Sequence, residues 1–276
     1  MKEKTMTELQ TRSVETELEI DAPVEAVWKA LTDGDELTRW FPLEARVDPG
    51  EGGSVYMSWK NEYDATSPIT AWEENRHFGT AWQMESLSGP LVVDYHLETV
   101  GGKTVLRLVH SGFPTDETWE DFYQSVRTGW AFELRSLRHY LERHAGKPRS
   151  VIYLRRRMKV TLPEVWDGLV GPGGIALEPD AKELSEGAPY QATSPTGDSY
   201  NGRVLICEPG LIFAGTVDEF GDGLLRFYMD PCQANPELSD LMFWISVWGR
   251  PQAEVDALRA AWSDRLESMF PDGDFR

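Results

Sequence analysis

Residues 14–31, VETELEIDAPVEAVWKAL, change period once, and that change decides the fold. Val14, Thr16, Leu18 and Ile20 fall on one face and Glu15, Glu17 and Glu19 on the other, as in a strand with one wet side. From Val24 the apolar positions are Val24, Val27, Trp28 and Leu31, a helical spacing, with Asp21 placed to cap it and Pro23 near its first position. The pattern recurs: YLRRRMKV at 153–160 leads through Pro163 into EVWDGLV at 164–170. Trp28 and Trp166 are each followed three residues later by leucine, Leu31 and Leu169. Each half also closes on a Trp-bearing helix, where Trp130, Leu134 and Leu137 answer to Trp262, Leu266 and Met269. The chain therefore reads as two related domains.

Between these landmarks the first half predicts a second short helix over Asp35–Trp40, then the punctuation PGEGG at 49–53. Beyond it the period becomes two for about sixty residues, with strands SVYMSW, SPITAWEE, HFGTAWQM, LVVDYHLET and TVLRLVHS. A long helix over 117–144 follows, its face made by Phe122, Val126, Trp130, Leu134, Leu137 and Leu141. Gly146, Lys147 and Pro148 end it and set a boundary near 145–150, giving domains at 1–146 and 151–276. The second half repeats the order in shortened form, with GRVLICEPGLIFAGTV aligning to SPITAWEENRHFGTAW and the helix PQAEVDALRAAWSDRLESMF at the end. The Gly, Pro and Ser-rich segment 171–199 matches nothing.

Composition narrows function. With 276 residues, 41% of them hydrophobic, and eleven Trp, each half has material for a core. Against 46 Asp+Glu stand 27 Lys+Arg, a net charge of −19 that repels nucleic acid and anionic membranes. The polar start MKEKTMTELQTRS has no apolar run, so a cytoplasmic protein without signal peptide or membrane span is expected. The cysteines Cys207 and Cys232 suit a reducing compartment, and the sequence does not say whether they are close.

The order strand, two helices, antiparallel strands and one long helix resembles the START-like helix-grip fold, an α+β class in which a curved sheet wraps the last helix. In the first half, APVEAVWKALTD, LTRWF, DPGEGG, TVLRLVHSGF and GWAFELRSLRHYL resemble, in order and spacing, the family of heat-shock protein 90 ATPase activator homologues. These stretches span nearly all of residues 14–142. The second half keeps Pro163, Trp166, a Gly-Thr strand and the Trp262 helix but lacks the WF pair and HSGF, so it reads as a divergent copy. The resemblance implies a cavity between sheet and helix, in a superfamily of lipid carriers, hormone receptors and polyketide cyclases.

Catalytic patterns are scarce. No HExxH, paired CxxC, GxSxG, Walker loop or dinucleotide fingerprint occurs, so no metal or cofactor is expected. His139 and His144 are expected in solvent at the end of a basic helix, and His96 beside Asp94 and Glu98 likewise. His110 shares a face with Leu106 and Leu108 and is the one candidate acid or base; a buried histidine satisfied by backbone is the alternative. Trp40, Phe41, Phe78, Trp82, His110, Phe113 and Trp130 are the candidate ligand-binding residues, and the same side chains would serve as plain core. The leading expectation is non-catalytic binding of a small apolar or amphipathic molecule in the first domain. A chaperone-linked protein-interaction module and a cyclase or dehydratase using His110 are the alternatives.

Overall fold

The structure is a computed structural model that describes residues 10–60, 63–87, 89–171, 173–194, 196–231 and 237–275. Cys232 lies outside them, and with it the question of its distance from Cys207. The chain divides into two compact units, Met1–Gly146 and Lys147–Arg276.

In the first unit, β1 (Thr11–Ile20) is followed by α1 (Val24–Thr32) and the single-turn α2 (Gly34–Leu37). A meander comes next: β2 (Glu44–Asp48), β3 (Ser54–Ser58), β4 (Asp64–Glu73), β5 (His77–Trp82), β6 (Leu91–Val100) and β7 (Lys103–Pro114). The sheet order is β1-β7-β6-β5-β4-β3-β2, every neighbouring pair antiparallel, so the first strand closes beside the last. The long helix α3 (Glu120–His139) lays Trp130, Leu134 and Leu137 inward, where Trp130 meets Tyr95 of β6 and His110 of β7. Leu106, Leu108 and Leu137 are fully buried, and each such side chain contributes about 1.5–3 kcal/mol.

The second unit repeats this plan. It contains β8 (Arg149–Met158), α4 (Leu162–Val170), β9 (Ala176–Glu178), β10 (Pro189–Thr193), β11 (Ser199–Glu208), β12 (Ile212–Val217), β13 (Gly223–Pro231), β14 (Ser239–Trp248), α5 (Gln252–Met269) and β15 (Asp274–Phe275). Its sheet order is β15-β8-β14-β13-β12-β11-β10-β9, so β8 pairs with β14 as β1 pairs with β7. Its core runs from Ile152 through Phe213, Phe227 and Phe243 to Trp262 and Leu266. Both units are thus α+β helix-grip domains, each an antiparallel sheet closed on a long final helix.

Several expectations need correction. The second half has fewer residues, yet its sheet is no smaller: β9 and β10 arise in the Gly- and Pro-rich segment that had matched nothing, and β15 adds a short edge. Asp21 does not cap α1. Pro23 occupies the cap position without a side-chain bond, and the Asp21 backbone N–H donates instead to the Glu142 carboxylate at 2.9 Å. The equivalent helix α4 does carry a reciprocal cap, in which Thr161 and Glu164 each accept the other's backbone N–H. His139 and His144 are buried rather than solvated. The chain after α3 widens into a π-type turn over Tyr140–His144, which brings the two imidazoles edge to face at 5.0 Å.

Candidate functional site: an aromatic cluster around Trp130

β7 carries two of the candidate residues, His110 and Phe113. Its alternation buries Leu106, Leu108 and His110 on the inner face. A regular strand would send Phe113, three residues on, to the opposite face. Instead the β1–β7 register shifts between Arg12 and Val14, so that Phe113 opposes Arg12 and His110 opposes Val14. Gly112 permits this bulge: its φ is +97°, and a Cβ there would lie 2.5 Å from the Pro90 carbonyl oxygen. Phe113 is thereby fully buried, with its ring centroid 4.6 Å from that of His110.

α3 supplies the other wall. The Trp130 indole Nε1–H donates to His110 Nδ1 at 2.9 Å. Because an indole nitrogen can only donate, Nδ1 must be the unprotonated acceptor and the ring proton sits on Nε2. Burial lowers the His110 pKa to about 4, so the imidazole is neutral at physiological pH. Its Nε2–H has no hydrogen-bond partner among the described residues. Tyr95 flanks Trp130 edge to face at 6.0 Å, and its hydroxyl also has no partner among the described residues. Burial, with a smaller contribution from Glu133, raises the Tyr95 pKa and keeps that hydroxyl protonated.

The candidate residues form a continuous aromatic set. Phe41 lies 5.4 Å from Trp130 and stacks on Trp40 at 5.1 Å. Trp40 is core: it is fully buried, its Nε1–H donates to the Ala30 carbonyl, and its own carbonyl accepts from Ser136. Phe78 is also buried, stacked on Tyr95 at 5.8 Å and set against Trp28 and Trp72. Trp82 stands apart, half-buried at the end of β5, and reaches the cluster through Tyr63, Trp59 and Phe41. Of the seven residues, Trp40, Phe41, Trp130, His110 and Phe113 are joined by direct ring contacts, and Phe78 is joined to them through Tyr95. Tyr95 and Trp59 are members that sequence reasoning missed. Tyr95 was findable, since β6 alternates and Leu91, Tyr95 and Leu97 share its buried face.

His77 and His96 form a separate pair on the outer face, with ring centroids 4.3 Å apart and Asp94 2.7 Å from His77 Nε2. Burial and the facing His77 lower the His96 pKa. A surface cleft of about 470 Å³ lies between α1 and the β2 and β4 strands, with Trp28, Lys29, Asp33 and Trp72 among its walls. None of the seven candidate residues lines it.

This architecture defines a START-like helix-grip protein whose first unit packs an aromatic cluster against α3. Residues 21–142 match the family model described as Activator of Hsp90 ATPase homolog 1-like protein, so the first unit resembles that family over nearly its whole length. Among solved structures, the chain is similar to the Aha1 dimer from Colwellia psychrerythraea, 26% identical over 49% of this chain and 99% of that one, with a TM-score of 0.44. CalU16 from Micromonospora echinospora is 29% identical over 48% of this chain and 78% of its own, with a TM-score of 0.40. DynU16, a putative protein in the dynemicin biosynthetic locus, aligns with 93% of this chain and 96% of its own at 15% identity and a TM-score of 0.41. No curated protein matches the chain.

Proposed function

We propose that the first unit binds a small, largely apolar molecule without transforming it, and that one hydrogen-bond acceptor on the ligand is read by His110. The observation that carries this reading is the His110 Nε2–H: a donor fixed in tautomer by Trp130, on a ring that meets Phe113 and Trp130, with Phe41 and Tyr95 packed on Trp130 in turn, and lacking any partner among the described residues. Apolar walls with a few fixed polar groups are the usual composition of a small-molecule site. The Tyr95 hydroxyl, on a ring 6.0 Å from that of Trp130, provides a second such group.

The acid–base alternative fits less well. A general base works best with a pKa near the operating pH, and burial holds that of His110 at about 4. Docking to a protein partner is the second reading, and it rests on the family description alone. Residues 21–142 would then serve as the docking module in a soluble, acidic, cytoplasmic protein.

Native mass spectrometry of the protein purified from its own host is the test. Expected is a bound molecule of a few hundred daltons, lost or bound about tenfold more weakly in His110→Phe, which keeps the ring volume and removes the donor. Protein that carries no ligand and exposes no apolar probe site in the groove would end the binding reading. Reproducible capture of one host protein through residues 21–142 would promote the docking reading instead.

A further inference from the structure

The second unit holds the counterpart of Trp130 without the counterpart of His110. Val14 precedes Trp28 by fourteen residues and Ile152 precedes Trp166 by the same fourteen, which aligns β1 with β8. Val14 pairs with His110 on β7, and Ile152 pairs with Ile245 on β14. The strand position of the imidazole is therefore filled by an isoleucine, which has no acceptor. Trp262 of α5 is fully buried against Phe243, with ring centroids 4.6 Å apart, and its Nε1–H has no hydrogen-bond partner among the described residues. Buried donors are paired in native structures with few exceptions, because an unmade bond forfeits the hydration the group gave up.

A second observation lies beside it. A cleft of about 290 Å³ opens between α5, β11 and the turn after β12, with Phe220, Val247, Val255 and Leu258 as apolar walls. Glu219, Arg250 and Glu254 also line it, as do Tyr200 and Arg265, behind which Trp262 lies off the wall: the Tyr200 ring is 5.8 Å and the Arg265 guanidinium 5.1 Å from the indole centroid. The Tyr200 hydroxyl, kept protonated by burial, has no hydrogen-bond partner among the described residues. The cations of the wall are already compensated. Arg265 pairs with Asp198 and also donates to Thr196, and Arg250 pairs with Glu254 at 2.8 Å and donates to the Glu219 carbonyl. The Glu219 carboxylate, also on the wall, accepts from the Asn201 backbone N–H and side-chain amide, so the cleft offers neutral donors and apolar surface with no spare cation, in a protein whose net charge of −19 disfavours an anion.

We propose that the second unit is a binding site in its own right, for a neutral apolar molecule whose acceptor oxygen, a ketone or ester carbonyl, passes Tyr200 and accepts the Trp262 Nε1–H. The site does not depend on the His110 reading of the first unit.

The test follows the eleven indole N–H resonances of the full chain by ¹⁵N NMR, with Trp262 assigned through Trp262→Phe. The probe is 2-heptanone, compared with heptane. Expected is a saturable shift of the Trp262 resonance with the ketone and none with the alkane, unchanged in His110→Gln. Trp262→Phe should bind the ketone about tenfold more weakly, which is about 1.4 kcal/mol and one hydrogen bond. Leu258→Trp, which fills the cleft and leaves Trp262 in place, should abolish the shift even if the Phe variant folds poorly. A Trp262 resonance indifferent to saturating ketone, an equal response to heptane, or a water cross-peak at its N–H in the ligand-free protein would each overturn the proposal.

Discussion

At the scale of single residues, two tryptophans in equivalent helices have opposite polar fates. Trp130 donates to His110 and Trp262 has no acceptor among the described residues. Trp130→Phe therefore removes a made hydrogen bond and strands Nδ1, whereas Trp262→Phe removes a donor that was already unmade. With similar loss of ring volume, Trp130→Phe should cost on the order of 2 kcal/mol more, read as the difference in urea unfolding between the two variants. His110 also gives a pH signature. Its folded pKa of about 4 lies below its ordinary 6.5, so below about pH 6.5 the unfolded chain takes up a proton that the folded chain refuses. Stability from this group is flat above pH 6.5 and falls as the pH drops towards 4, by about 3 kcal/mol in full. His110→Gln can still accept from Trp130 and does not titrate, so subtracting its pH profile from that of the parent should isolate this slope; parallel profiles would refute it. The inward face of His110 was legible from Leu106 and Leu108. Phe113 stands beside it among the candidates, but their ring contact was not legible, because Gly112 shows only where a bulge can fall and not how it shifts the register.

At the scale of elements, legibility followed burial on one face. β1, β6 and β7 alternate because one side meets the core, and the sequence shows it. β2, EARVD, lies at the sheet edge with no fully buried side chain, so nothing apolar announced it. β9 and β10 likewise sit at the far edge of the second sheet, among glycines and prolines that read as loop. The arginine run of β8 is the converse case, a highly charged strand paired along its whole length with β14 and bordered on its other side only by the two-residue β15. Arg155 and Arg157 lie on its outer face and close on Asp240 of β14, with Arg157 bidentate at 2.8 Å and Arg155 at 2.6 Å. Burial raises the Asp240 pKa, and the hydrogen bonds from Arg157 and Arg155 outweigh it, holding the carboxyl below its usual range. Its contribution is therefore present at neutral pH and lost as the pH falls through that lowered value. The Asp240 side chain is 4% exposed and its partners 21% and 16%, between a buried and a surface pair. Asp240→Asn should cost about 2–3 kcal/mol, less than a fully buried pair and more than an exposed one. A loss below ~0.5 kcal/mol by urea unfolding would show that the pair fixes β8–β14 register without stabilising it.

At the scale of the molecule, the repeat conserves the frame and varies what packs against the tryptophan of the long helix. Both units keep the first strand beside the last, the Trp-bearing first helix, and a final helix whose tryptophan points into the sheet. Trp28 and Trp166, the tryptophans of those first helices, are both buried. Charge, too, is shared rather than segregated. Residues 1–146 hold 14 Lys+Arg against 26 Asp+Glu, and residues 147–276 hold 13 against 20, so neither half hides a basic balance behind an acidic one. Among the described residues no helix is long and apolar enough to cross a membrane. Such a one-signed charge repels itself in the folded state more than in the expanded chain. The ion pairs that offset it in the first sheet, Lys103–Glu19 and Arg107–Glu15, are half-exposed and weak. Raising NaCl from about 10 mM to about 150 mM shortens the Debye length from roughly 30 to 8 Å and should screen the repulsion more than the pairs. The expected result is a rise in Tm of about 2–4 °C, the equivalent of ~1 kcal/mol for domains of this size. A fall in Tm over the same range would mean that local pairs such as Asp240 with its two arginines, not the net charge of −19, dominate the electrostatics of the fold.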